Sequence, residues 1–331
     1  HILHDDVVLK FEKKIAKYVG AKYACAVNSA TNAIFLTFTM DYFLKPRTVK
    51  VPSMIPPVVA NAIITSHNKV KFTDNVKWIG DSYILHKFRT YKLVDSAQKL
   101  EKNQFRKECN PNDIMIFSHY PTKPLGGIDG GTIVTDDYKA YKWFKEAVLN
   151  GMTFAQNNWE RGISFPGYKM YMNSIQAEVL MRNFEHLDKK MKVLGNLVDI
   201  YNRELGYENK SKHLYTIEVL NNEKFIQSMK NAGIICGIHY PALHLNPIYN
   251  DGNQPDCPKS EKLEKRTVSL PMNETLSFLE TEYIIDKVAI IPIIIISGIS
   301  FIATIFAYKI MPEEIEMKSI SKVYSLWLLA I

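Results

Sequence analysis

Between residues 7 and 135, short apolar runs alternate with helical patterns, and no other feature constrains the fold of this chain as much. Residues 7–18 (VVLKFEKKIAKY) place apolar side chains at helical spacing, and Gly20 follows as a C-cap would. Tyr23-Ala24-Cys25-Ala26-Val27 reads as a buried strand. Residues 28–32 then offer N-cap side chains to a helix over 33–42. Lys50-Val51-Pro52-Ser53 ends a second strand, and Pro56 and Pro57 open the next helix. Further strands read at 70–74, before Asp95, before Ser118 and at 132–135. This alternation predicts the α/β class, with a mainly parallel sheet covered by helices on both faces. In such sheets ligands sit at the carboxyl ends of the strands. Residues 28–31, Asp95 and 118–123 all fall at those ends.

Those strand ends carry chemistry. Phe117-Ser118-His119-Tyr120-Pro121-Thr122-Lys123 sets one lysine on a Pro-Thr turn just after an apolar strand. Glycines between Gly126 and Gly131 then let backbone approach whatever the lysine holds. Upstream, Leu93-Val94-Asp95-Ser96-Ala97-Gln98 puts a carboxylate at the end of another apolar run. An aspartate at one strand end and a lysine after the next describe a pyridoxal phosphate (PLP) site. The lysine makes the Schiff base, and the aspartate keeps the pyridinium nitrogen protonated. At residues 28–31 a strand delivers Ser29 and Thr31 to a helix N-terminus, where hydroxyls, free N–H groups and the helix dipole suit an anion. The glycine spacing at 126–131 is neither a P-loop nor GxGxxG. His239 and His244 have no further ligand at metal spacing nearby, so no metal is expected.

From 173 to about 207 a long amphipathic pattern predicts one or two helices leading into a second domain. There, 214–220 and 234–240 read as strands, and 224–232 as a helix ending at Gly233. The expected organisation is a large PLP-binding domain over 1–185, a small α+β domain over 186–287 and a hydrophobic tail over 288–331. Within the tail, residues 288–308 (VAIIPIIIISGISFIATIFAY) carry no charge and suffice in length to span a bilayer. The same run also reads as a pair of buried strands, or as a tail fused or frameshifted onto the gene. Lys287 and Lys309 flank it evenly and give no orientation.

With 331 residues, 47% of them hydrophobic, the chain can bury one large core and a smaller one, and 23% charged residues do not describe a disordered chain. The net charge of +7 suits anionic ligands, but no basic run with interleaved aromatics points to nucleic acid. Cys25, Cys109, Cys236 and Cys257 are scattered with no CxxC pair, as reduced thiols of a cytosolic protein would be. A cytoplasmic location is therefore expected, with tethering to a membrane if 288–308 inserts. The start at His1, without methionine or signal peptide, reads as a truncated N-terminus.

In this order the landmarks resemble the nucleotide-sugar aminotransferases of the DegT/StrS group, which have the type I PLP-enzyme fold. The matching pieces are Phe11-Glu12 with Tyr18-Val19-Gly20, NSATNA at 28–33, VPS at 51–53, ANAI at 60–63, DSAQ at 95–98 and SHYPTK at 118–123. GYKMYMNSIQAEV at 167–179, GIHYPALHLNP at 237–247 and SLPM at 269–272 continue the series, so the resemblance covers about residues 5–288. It implies that Lys123 carries the cofactor and moves the proton, that Asp95 pairs with the pyridine nitrogen and that Gln98 lies beside the ring. It further implies that Ser118, Ser29, Ala30 and Thr31 hold the phosphate. Lys169 would reach the cofactor phosphate of a partner subunit in a homodimer with shared sites. His239, Tyr240 and His244 would line the sugar-nucleotide pocket, and L-glutamate would be the amino donor. The implied reaction is amination of a nucleotide-linked 3-keto or 4-keto deoxysugar for amino-sugar and glycan biosynthesis. A PLP-dependent sugar dehydratase of the group would carry histidine where Lys123 stands; a catalytically idle relative that binds cofactor or sugar is the other alternative.

Four positions depart from the group. No aromatic residue stands near Ile55 or Pro56 to stack on the pyridine ring, and Asp129 occupies a place where Glu is usual. Lys169 stands where Asn is common, and the strand and helix between Asp74 and Asp95 are shortened.

Overall fold

The computed structural model describes residues 6–40, 46–153, 160–250 and 252–290. The chain divides into two compact units, one reaching Tyr283 and the other beginning at Ile284. Of the predicted membrane run, residues 291–308 lie outside the described residues. Among the described residues no helix is long and apolar enough to cross a membrane.

The first unit opens with α1 (Asp6–Val19), which buries Val8, Phe11, Glu12, Ile15, Ala16 and Val19 along one stripe. Gly20, at φ 81°, turns the chain out of the helix. β1 (Tyr23–Val27) then leads into α2 (Ala30–Thr39), capped by the Ser29 side chain on the Asn32 N–H. β2 (Thr48–Pro52), α3 (Pro57–Thr65) and β3 (Lys69–Thr73) form a right-sized crossover, and β2 and β3 pair in parallel. β4 (Tyr83–Lys87), β5 (Lys92–Asp95), α4 (Gln104–Glu108), β6 (Ile114–Ser118), β7 (Gly131–Thr135) and α5 (Tyr138–Ala147) complete the central layer and its cover.

The main sheet has five strands in the order β1-β7-β6-β5-β4. It is α/β, as expected, but mixed: β5 pairs in parallel with β6, whereas β1–β7, β6–β7 and β4–β5 are antiparallel. The reason is connection length. Only a few residues separate β4 from β5, and a loop without a helix separates β6 from β7, so neither link can make a parallel crossover. β1, β5 and β6 nevertheless run the same way, which brings Val27, Asp95 and Ser118 to one edge; Val27 and Ser118 both pair with Gly131.

Strand alternation divides the core in two. Cys25, Val27, Leu93, Ile114, Ile116 and Ile133 face the side covered by α2, α3 and α5. Ala24, Ala26, Val94, Met115, Phe117 and Val134 face α1 and α6 (Ser174–Glu185). β6 is therefore apolar from Ile114 to Phe117 because both of its faces are covered. One charged pair crosses this core. Glu12 and Lys145, 4% and 2% exposed, meet at 2.7 Å, and Glu12 also accepts from the Ala26 N–H.

α7 (Leu187–Leu205) follows α6 and ends at Gly206. Next come β8 (Tyr215–Glu218), α8 (Asn222–Asn231), α9 (Pro258–Glu264) and β9 (Thr267–Leu270), with β8 and β9 paired antiparallel. The strand predicted over 234–240 does not form. Gly237 alone pairs, with Ser269, before the chain turns away at Pro241.

Candidate active site

Ser29, Ala30 and Thr31, at the start of α2, face Asp95, Gln98, Ser118 and Lys123 across a single cavity of about 380 Å³. These are the residues that the sequence placed at strand ends, and the shared direction of β1, β5 and β6 brings them together. Gly131 makes the junction possible. A Cβ there would stand 2.6 Å from the Ala30 backbone nitrogen and 2.7 Å from the Ser29 carbonyl carbon. The Asn32 N–H of the first turn of α2 is taken by the Ser29 hydroxyl, while those of Ala30 and Thr31 have no earlier turn to bond to and face the cavity edge.

Asp95 is 4% exposed, and each of its carboxylate oxygens accepts a hydrogen bond. The Ala97 N–H donates to Oδ1 at 2.9 Å and the Tyr83 hydroxyl to Oδ2 at 3.0 Å. Burial pushes its carboxyl up, while the two donors and the Lys123 charge pull it down. Lys123 feels the converse: burial lowers its ammonium and Asp95 raises it. A buried acid and a half-buried base thus share one cavity and each moderates the other.

The loop that carries Lys123 is pinned from inside. The His119 N–H donates to Gly130 O and the Gly127 N–H to His119 O, both at 2.9 Å. His119 Nδ1 lies 3.0 Å from the Leu125 carbonyl, which can only accept, so Nδ1 carries the proton and Nε2 accepts from the Thr132 hydroxyl at 2.7 Å. The ring is neutral, and burial drives its pKa to about 4.

Gln98 accepts from the Gly80 N–H at 2.6 Å and donates to the Tyr240 hydroxyl at 2.9 Å. Tyr240 stacks on Trp78, with ring centroids 6.0 Å apart and planes 5° from parallel. Pro56, Val59, Ile34 and Trp78 supply apolar wall to the same cavity.

The profile of the DegT/DnrJ/EryC1/StrS aminotransferase family matches residues 2–78 and 86–289. The chain belongs to this family. Its members use PLP, and they are aminotransferases. The unmatched residues 79–85 run into the first three residues of β4. Among relatives, the UDP-4-amino-4,6-dideoxy-N-acetyl-beta-L-altrosamine transaminase of Campylobacter jejuni is 21% identical over 84% of this chain and 87% of its own length. The spore coat polysaccharide biosynthesis protein SpsC of Bacillus subtilis is 25% identical over 85% and 88%. A DegT DnrJ EryC1 StrS aminotransferase structure from Brucella abortus superposes with a TM-score of 0.71 at 21% identity, covering 87% of this chain and 91% of that one.

The donor set fits PLP. A helix N-terminus with hydroxyls suits the phosphate, a buried carboxyl suits the ring nitrogen and a half-buried lysine suits the aldehyde carbon, all lining one cavity of ligand size. The other predicted residues lie elsewhere. Lys169 is exposed and pairs with Leu149. His239 Nδ1 is 2.8 Å from the Ser269 hydroxyl, and His244 is held by Ser53 at 2.6 Å and Glu261 at 3.2 Å. Tyr240 meets the cavity wall through Gln98 and Trp78. Among the described residues no group of three or more His, Cys, Asp and Glu is arranged for a metal ion.

Sequence reasoning passed over Tyr83, Trp78 and His213. His213 Nε2 stands 3.2 Å from Lys123 Nζ. For Tyr83 a signal was present, since 83–87 (YILHK) is a short β-rich run. His213 gave none, because its partner lies ninety positions away.

Proposed function

We propose that this protein transfers an amino group from L-glutamate to a nucleotide-linked keto deoxysugar, for amino-sugar and glycan biosynthesis. The observation that carries this reading is the meeting of Asp95, Lys123 and the start of α2 in one cavity, within an aminotransferase family member. When bound, PLP supplies an electron sink for the carbon that loses its proton. Ser29, Ala30, Thr31 and Ser118 hold the phosphate. Asp95, oriented by Tyr83 and Ala97, holds the proton at the ring nitrogen, and Gln98 borders the ring. Lys123 anchors the cofactor and then serves as the base that moves the proton, a task suited to an amine whose proton affinity burial has lowered. Pro56, Val59 and Trp78 exclude water beside the ring.

Relatives are named for a UDP-linked 4-amino sugar and for a UDP-linked 3-oxo sugar, so both 3-keto and 4-keto substrates belong to this reading. Two copies of this chain form the working unit, with Lys169 reaching the neighbouring site. The division of the first unit into a large PLP-binding part over 1–185 and a smaller part over 186–287 belongs to the same reading. His239, Tyr240 and His244 then lie on the substrate side. The test is incubation of the PLP-loaded protein with L-glutamate and UDP-linked or dTDP-linked 3-keto and 4-keto deoxysugars, followed by mass spectrometry. An amino sugar formed together with 2-oxoglutarate supports the proposal. Turnover of glutamate with 2-oxo acids alone, and with no sugar, would count against the substrate class.

A further inference from the structure

His213 comes to the catalytic lysine from a distant part of the chain. It lies on the lead-in to β8, where the Ser211 hydroxyl accepts from the His213 and Leu214 N–H groups, both at 3.1 Å. That turn rests on Gly80, where a Cβ would stand 2.6 Å from Ser211 Cβ, and Gly80 itself donates to Gln98. The lead-in is thereby seated on the same frame that borders the cavity. The ring Nε2 lies 3.2 Å from Lys123 Nζ. An ammonium can only donate, so Nε2 accepts from Lys123 and the proton of the neutral ring sits on Nδ1.

We infer that His213 is a positioning residue for Lys123: its neutral ring accepts a hydrogen bond from Nζ and fixes where the lysine amine stands. This rests on the reading of Lys123 as the cofactor lysine. Lys123, His239 and Lys190 all disfavour a proton on His213, and burial drives it to about 3. Asp95 faces Lys123 and favours its ammonium, while His239 also feels the lysine charge. An acceptor lone pair supports the ammonium in the same sense as Asp95, against the burial that lowers it.

The consequence is a sign. Removing the acceptor leaves Lys123 easier to deprotonate, whereas removing a charged imidazolium would make it harder. The experiment is trace acylation of the PLP-free full-length protein with acetic anhydride across pH, with the Lys123 peptide quantified by mass spectrometry. In His213→Leu the midpoint of Lys123 labelling is expected to fall so that, below it, the reactive amine rises about tenfold or more. In His213→Gln, whose amide oxygen can accept from Lys123, the midpoint is expected to return toward wild type. Superimposed wild-type and His213→Leu profiles overturn the inference, as does a midpoint that rises, or one that falls equally in both variants. If His213→Leu does not fold, His213→Ala makes the same comparison. PLP uptake, recorded by absorbance in parallel, tests the reading of the cofactor site separately: a wild type that binds no PLP refutes that reading while the Lys123 labelling profile still stands.

Discussion

Replacing His119 with glutamine should make the protein less sensitive to acid, by an amount the site geometry sets. His119 is fully buried and neutral, with Nδ1 donating to Leu125 O and Nε2 accepting from Thr132. In the unfolded chain a histidine takes up its proton near pH 6.5; here burial lowers that to about 4. Between those values the unfolded state binds the extra proton, so stability falls as pH drops from about 6.5 to about 4. A tenfold change in proton affinity is worth about 1.4 kcal/mol, which makes the loss about 2.5 kcal/mol by pH 4.5. Burial also lowers His213, His239 and His86, so the wild type should lose more than this single residue accounts for. Glutamine keeps a donor for Leu125 and an acceptor for Thr132 but cannot titrate in this range. Urea unfolding of both proteins at pH 7 and pH 4.5 isolates the His119 share. The variant should lose about 2.5 kcal/mol less than wild type between the two pH values. An equal loss in both would refute the argument that the buried ring is held neutral by its site.

Tyr83→Phe removes one of the two donors that hold Asp95 ionised, so the carboxyl should rise further and grip the pyridinium less well. The dissociation constant for PLP, measured by absorbance titration, should increase about tenfold, and an unchanged constant would deny Tyr83 this role. Glu12→Gln leaves the Lys145 ammonium buried beside a neutral amide, while the Ala26 N–H keeps an acceptor. Unfolding at pH 7 should show a loss of about 3–5 kcal/mol, and a loss near zero would mean that Lys145 finds water or another partner.

Much of the frame was legible in the sequence. Helical spacing in 7–18 gave α1, and the cap residues at 28–32 marked α2, although the helix starts at Ala30 rather than 33 because Ser29 is the residue that caps it. Asp95, Ser118 and Lys123 were legible as strand-end chemistry, because a parallel trio of strands carries their ends to one edge. The mixed sheet was not legible in the same way. Alternation of strand and helix signals a parallel crossover only where a helix fits, and the links 88–91 and 119–130 are loops. Residues 234–240 have strand composition but find a free edge only at Gly237. Tyr83 and His213 act through hydrogen bonds across the fold; the β-rich run 83–87 marks a strand but not the Tyr83 role, and His213 carries no local motif.

The central claim is that Lys123 holds PLP in the cavity closed by Asp95 and the start of α2. The direct measurement is the visible absorbance of the protein purified with PLP, in wild type and Lys123→Ala, before and after borohydride reduction, with peptide mass spectrometry of the reduced protein. The account predicts a yellow wild type with the reduced cofactor on the Lys123 peptide, bleached by L-glutamate, and no such band or adduct in the variant. A well-folded wild type that stays colourless, or an adduct on a different lysine, would contradict it.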